Sequence, residues 1–142
     1  MTFANPPDSE IRAILSNPTT VAVVGCSDNP ERDSLTIAML LKRKGFRVIP
    51  VNPQLAPDAL RDQLGERCYP DLAAIPDAVG IVDVFRRSNY LPEIAQQAIA
   101  KGAKVLWGQL GVIDEGAAAT ARAAGLTVVM DRCPAIEYRR LF

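Results

Sequence analysis

Short runs of valine, isoleucine and small residues recur along this chain, each followed by a segment of helical period. That alternation limits the folds open to the chain more than any single motif does. The runs cover residues 21–25, 46–51, 79–85, 103–107 and 126–130. Their apolarity is continuous rather than alternating, which marks strands covered on both faces, as in a parallel sheet. Between them, Ile37, Leu40 and Leu41 share a helix face that Gly45 closes, and Leu91, Ile94, Ala95 and Ala98 form a second stripe closed by Gly102. Asp114 is the expected N-cap of an alanine-rich helix ending at Gly125, and residues 57–64 read as a short helix closed by Gly65. Cys68-Tyr69 reads as a brief edge strand. An opening helix capped by Asp8 or Ser9 runs through Leu15, and a last helix over residues 135–141 has Pro134 in its first turn. The expected architecture is a Rossmann-like, doubly wound α/β domain with a mostly parallel sheet. Residues 1–142 form a single domain in this reading, and residues 1–18 are a helical extension.

The 142 residues suffice for one domain with a substantial core. Sixteen basic and sixteen acidic side chains cancel, so no global field favours nucleic acid or an anionic membrane. No apolar run approaches the ~20 residues that cross a bilayer. The opening segment lacks a basic stretch followed by an apolar one, so a cytoplasmic location is the expectation. Histidine is absent, which excludes Ser-His, Cys-His and phosphohistidine chemistry and any histidine-ligated metal within this chain. The three cysteines, Cys26, Cys68 and Cys133, form no C-x-x-C pair and read as reduced thiols.

In open parallel sheets ligands bind beyond the carboxyl ends of the strands, where strand order reverses. The first strand ends at Gly25, and a nine-residue loop, CSDNPERDS, leads into the next helix. A glycine lets the chain turn sharply and an anion come close, and the helix start supplies free N–H groups. Ser27, Asn29 and Ser34 add neutral donors and Arg32 a cation. The loop is equally the ordinary connection of a βα unit. The dinucleotide fingerprint G-x-G-x-x-G is missing beyond Gly25, and the second strand ends Ile49-Pro50-Val51-Asn52-Pro53 without the carboxylate that grips a ribose. No G-K-[ST] follows for a Walker loop, and strand one ends without the acidic residue of a phospho-acceptor site.

Five segments, VAVVGCSDNPERDS, GFRVIPVNP, IVDVFRR, GAKVLWGQLGV and GLTVVMDRCPAIEYRRL, occur in order. Through them the chain resembles the small stand-alone CoA-binding proteins, which are similar to the N-terminal CoA-binding domain of the succinyl-CoA synthetase α-subunit. The resemblance runs from about Thr20 to Leu141. It implies a CoA diphosphate on the loop after strand one, at Gly25, Cys26, Ser27, Asn29, Arg32 and Ser34. It implies adenosine near Pro50, Asn52 and Pro53, and a pantetheine arm near Val84, Phe85 and Arg86, reaching towards Trp107 and Gln109. The synthetase's phosphorylated histidine has no counterpart, so the ligase reaction is not implied. The family's C-x-K-I-E-H ending is replaced here by Cys133-Pro134-Ala135-Ile136-Glu137-Tyr138.

Residue chemistry agrees with that implication. CoA carries a 3′-phosphate that a carboxylate at strand two would repel, so Asn52 suits CoA better than NAD. Arg32, Lys42 or Arg43 could supply its cation. Arg86 stands on the ligand side and Arg87 reads as surface. Asp83, inside an apolar strand, either accepts N–H groups of the phosphate loop or points out near the strand end. Cys26 stands at a helix start that favours a thiolate, yet a small residue fitting a tight loop is the simpler reading. Trp107 reads as core, and Gln109 as a partner for a pantetheine amide or an acyl carbonyl. Glu137, Tyr138, Arg139 and Arg140 read as a solvated or packing helix face. The reading is a non-catalytic protein that binds CoA or acyl-CoA, with a protein partner left open. Its competitors are a small NAD(P)-dependent oxidoreductase and an interaction module with a vestigial nucleotide pocket.

Overall fold

Five strands lie side by side and all run in the same direction: β1 (Thr20–Val24), β2 (Arg47–Val51), β3 (Ile81–Val84), β4 (Val105–Gly108) and β5 (Thr127–Val129). The computed structural model describes residues 3–142. The strands are joined through α2 (Asp33–Arg43), α3 (Arg61–Leu64), α4 (Leu91–Lys101) and α5 (Glu115–Ala123), with α1 (Asp8–Ser16) before the sheet and α6 (Pro134–Leu141) after it. Their order is β2-β1-β3-β4-β5. The chain therefore steps outward from β1 to β2, crosses back to β3 on the other side of β1, and continues outward. The reversal lies between β1 and β3, and a crevice opens there because the two flanking loops leave in opposite directions.

The strands are buried on both faces because each face carries its own apolar layer. Ala22, Val24, Val82, Val84 and Leu106 pack against the stripe of α4 and the alanines of α5. Val21, Val23, Ile81, Val105 and Trp107 pack against α2, and α1 supplies Ile11 and Leu15 to the same layer. Of the expected 1–18 extension, residues 1 and 2 lie outside the described residues; α1 is part of this second layer. The single domain is thus α/β and doubly wound, with an all-parallel sheet.

Several boundaries differ from expectation for local reasons. Pro7, not Asp8 or Ser9, is the N-cap of α1, and its side chain makes no capping bond. The Asp8 carboxylate is instead drawn to Arg140 on α6, at 2.8 Å. Only Arg61–Leu64 of the expected short helix is regular. Cys68-Tyr69 reduces to one parallel bridge between Tyr69 and Val51. Asp114 does cap α5, accepting the N–H of Ala117 at 2.8 Å. Trp107 is buried and its indole N–H donates to the carbonyl of Arg132 at 2.9 Å.

Candidate functional site

Two clefts meet at the reversal between β1 and β3, sharing Gly25 and Phe85. The larger, about 560 Å³, runs from the end of β2 across to α4. The smaller, about 470 Å³, lies between Gly25 and the start of α2. Gly25 is what lets them join. It holds a φ of +86°, and a Cβ there would lie 3.0 Å from both the Phe85 carbonyl oxygen and the Arg86 Cγ. The residue must be glycine for its conformation and for the close approach of β1 to the end of β3.

The loop after β1 organises itself. The Ser34 hydroxyl accepts the N–H of Ser27 at 2.9 Å, the Ser27 hydroxyl accepts that of Asn29 at 3.0 Å, and the Asn29 side chain accepts that of Glu31 at 2.9 Å. These short polar turns are what Ser and Asn side chains do next to their own backbone. Arg32 is the N-cap of α2 and makes no side-chain cap, so the first-turn N–H groups, which no helix can bond internally, remain for an outside acceptor. Glu31 and Asp33 line the same cleft as Arg32, so the smaller cleft offers N–H donors rather than net positive charge.

The expected site residues divide by what they expose. Ser27, Arg32 and Ser34 line the smaller cleft, Asn52, Pro53 and Arg86 line the larger, and Gly25 and Phe85 line both. Asn29 is exposed on the loop but lines neither. Cys26, Pro50 and Val84 are buried, which leaves their backbone atoms as their means of contact. The Asn52 amide donates to the Cys26 carbonyl at 2.9 Å and accepts the N–H of Gln54 at 2.8 Å, so it ties the end of β2 to the loop after β1. Gln109 is buried and donates to Asp83, away from either cleft. Asp83 accepts no N–H of the loop after β1 and does not point out: it is 1% exposed. Burial pushes the Cys26 thiol up to about 12, with Cys68 and Asp83 adding to the effect, so it stays protonated at neutral pH. Of the three candidate cations, Arg32 alone lines a cleft; Lys42 reaches back to the Gln63 carbonyl at 3.4 Å.

Some lining residues were not anticipated. Arg87 is exposed and also lines the larger cleft, and the Arg86 guanidinium sits 3.9 Å over the Tyr90 ring beside it. Tyr90, Glu93 and Gln97 line the cleft too; spaced three and four apart, they form a polar stripe beside the apolar stripe of α4, a pattern visible in the sequence. Pro70 and Asp71 enter because Tyr69 pairs with Val51. Among the described residues, no cluster of three or more Cys, Asp or Glu is placed to hold a metal ion, and no helix is long and apolar enough to cross a membrane.

A family model described as a CoA binding domain matches residues 19–139. The uncharacterized protein YneT of Bacillus subtilis is 37% identical over 129 residues, covering 91% of this chain and 92% of that one. A solved hypothetical protein from Pyrococcus horikoshii is 38% identical, with a TM-score of 0.87, and the match spans 99% of both chains. An ADP-forming acetate–CoA ligase II of Archaeoglobus fulgidus is 32% identical over 90 residues, which cover 61% of this chain and 12% of the ligase.

Proposed function

The chain belongs to the CoA binding domain family, and from that premise we propose that it binds coenzyme A or an acyl-CoA without acting on it, the diphosphate resting on the loop after β1. The observation that carries this reading is the joined pair of clefts at the β1/β3 reversal, with uncapped α2 facing one and the end of β2 facing the other. A diphosphate is an oxygen-rich anion, and the first turn of α2 supplies N–H donors and the positive end of a helix dipole. The exposed ring of Pro53 and the uncharged side chain of Asn52 suit an adenosine bearing a 3′-phosphate. From there the larger cleft leads past Phe85 and Arg86, a path for the pantetheine arm. No histidine is present and the Cys26 thiol is held protonated, so neither is a ready base or nucleophile.

Thermal melting with CoA, acetyl-CoA, adenosine 3′,5′-bisphosphate and NADP, alongside native mass spectrometry of freshly purified protein, tests this. CoA should raise the midpoint with concentration as RT ln(1 + [L]/Kd), and a retained species of CoA mass would strengthen the case. Stabilisation by NADP but not CoA would hand the site to an oxidoreductase. Indifference to every nucleotide would leave an interaction module. A CoA-soaked crystal with its diphosphate away from the loop after β1 would overturn the placement.

A further inference from the structure

The carboxyl group of Asp83 lies on the central strand β3, in register with Val23 of β1 and Trp107 of β4, and is 1% exposed. One of its oxygens accepts the side-chain N–H of Gln109; the other has no partner among the described residues. A buried polar atom without a partner calls for an explanation. No basic side chain pairs with it among the described residues.

Gln109 opens the turn over residues 109–113 at the carboxyl edge of the sheet. Its N–H donates to the Val84 carbonyl at 3.2 Å, and its carbonyl accepts the N–H of Val112 at 2.9 Å. The turn closes so tightly that a Cβ on Gly108 would lie 2.7 Å from the Val112 carbonyl oxygen. Asp131 accepts the N–H of Gly111 at 2.8 Å from a residue held at a φ of 58°. The Ser88 hydroxyl donates to the Gly111 carbonyl at 3.0 Å and accepts the N–H of Ile113 at 2.9 Å. Backbone held in the left-handed region by surrounding bonds is typical of sites where shape matters. The turn leaves Leu110 and Ile113 exposed, at 59% and 46%, beside Ser88, which directly follows the Arg86-Arg87 wall of the larger cleft.

We propose that Asp83 is a positioning residue that acts through Gln109 to hold this turn in place next to the Arg86-Arg87 end of the larger cleft, where the thiol-bearing arm of the ligand leaves it, and that it does so only while it carries its proton. The inference rests on the CoA reading above and deepens it. Burial pushes Asp83 up to about 7, the Gln109 bond pulling the other way. Once ionised, the buried carboxylate has a single amide donor to balance it; turning towards solvent or admitting water relieves it, and either motion releases Gln109. The other groups facing it do not take over its charge. From the loop after β1, Cys26 is a protonated thiol. Around the narrow slot that Asp83 lines, α1, α2, β4 and α6 contribute Leu15, Leu41, Trp107 and Pro134. Farther along α6, Glu137 is bound to Arg140 and the Tyr138 hydroxyl to the Leu15 carbonyl.

Calorimetric titration of the full chain and its Asp83→Asn variant with CoA and with adenosine 3′,5′-bisphosphate, at pH 6, 7 and 8, tests the proposal. The bisphosphate shares the titrating phosphates of CoA and lacks its arm. CoA binding to the unaltered protein should weaken by roughly tenfold between pH 6 and 8 beyond any change for the bisphosphate, the factor by which the protonated fraction of a group titrating near 7 falls. Asp83→Asn keeps an acceptor for Gln109 and cannot ionise, so it should hold its pH 6 affinity at pH 8. Parallel pH profiles for the two ligands in the unaltered protein, which needs no variant to fold, would overturn the positioning role and leave the CoA reading intact. A variant that follows the unaltered protein through the pH range would do the same. Failure of both ligands to bind at every pH would overturn both.

Discussion

Asp83 and Glu137 are buried almost equally, at 1% and 2% exposure, yet their surroundings differ completely. Glu137 sits on the last helix, α6, where Arg140 reaches it at 2.7 Å and Arg132 at 3.8 Å while both guanidinium groups keep one side in water. Long basic side chains can bury their stems and leave their heads solvated, so the carboxylate is neutralised without a second charge being stripped of water. Asp83 lies on the middle strand; among the described residues no basic side chain pairs with it, and its carboxyl bonds only to an uncharged amide. Depth alone therefore does not decide whether a buried acid is charged; what decides it is whether a solvated cation can reach it. Glu137 is built into a cluster of guanidinium groups, Asp83 against an amide alone.

Removing the cation from the first site should have the largest effect. Arg140→Ala breaks the bonds to Glu137 and to Asp8 together. It leaves a buried carboxylate with Arg132 alone, and the α1–α6 clasp goes with it. The thermal midpoint should fall by about 10 °C at neutral pH, as expected when one member of a buried pair is lost from a domain of this size. A change of under ~2 °C would show that Glu137 does not depend on its cation, and the contrast with Asp83 would collapse.

The second effect is the pH dependence of folding. The Asp83 carboxyl is raised from the ordinary carboxylate value of 3.8 to about 7, so between those values the folded chain binds a proton that the unfolded chain has released. Stability contributed by the neutral acid is present in full below the lower value and is lost as pH climbs through the upper one. Urea unfolding should show a loss of about 3 kcal/mol from pH 5 to pH 8, given ~1.4 kcal/mol per unit over the roughly two units below the upper value. Asp83→Asn should abolish that slope. A slope of the same size in the variant would mean that other groups produce it and that Asp83 is not the odd carboxyl out.

The contrast between these acids also shows which parts of the molecule can be seen from sequence. The strands stand out because runs such as Val21-Ala22-Val23-Val24 are covered on both faces, and local composition records that. The place of the clefts is equally local: Gly25 and the polar loop behind it follow directly from where β1 stops. Partners of buried polar groups are set by register and crossover. Gln109 reaches Asp83 across 26 positions because Asp83 pairs with Trp107. Arg140 bridges Glu137, one turn away, to Asp8, 132 positions away, so only half of that network has a local signature. Asn52 is an intermediate case. Its neutrality is chemical and visible in the sequence, whereas its use as a tie to the Cys26 carbonyl depends on β1 and β2 lying side by side.

The smallest effect probes the weaker partner. Gln109→Leu removes the one bond that the Asp83 carboxyl makes among the described residues and, unlike the loss of Arg140, strands no charge as long as the acid holds its proton. At pH 6 the cost should be about 1 kcal/mol by urea unfolding, the net worth of a single hydrogen bond. At pH 8 it should grow, because the ionised carboxylate then loses its last donor as well. The Gln109 bond lowers the Asp83 carboxyl, so its removal should move the descending part of the stability curve to higher pH. A loss at pH 6 as large as that of Arg140→Ala would mean that Asp83 is already charged there, and the two sites would then be of one kind. A small loss at pH 6 that widens with pH is what an acid without a cation requires, since its proton takes the place that Arg140 holds beside Glu137.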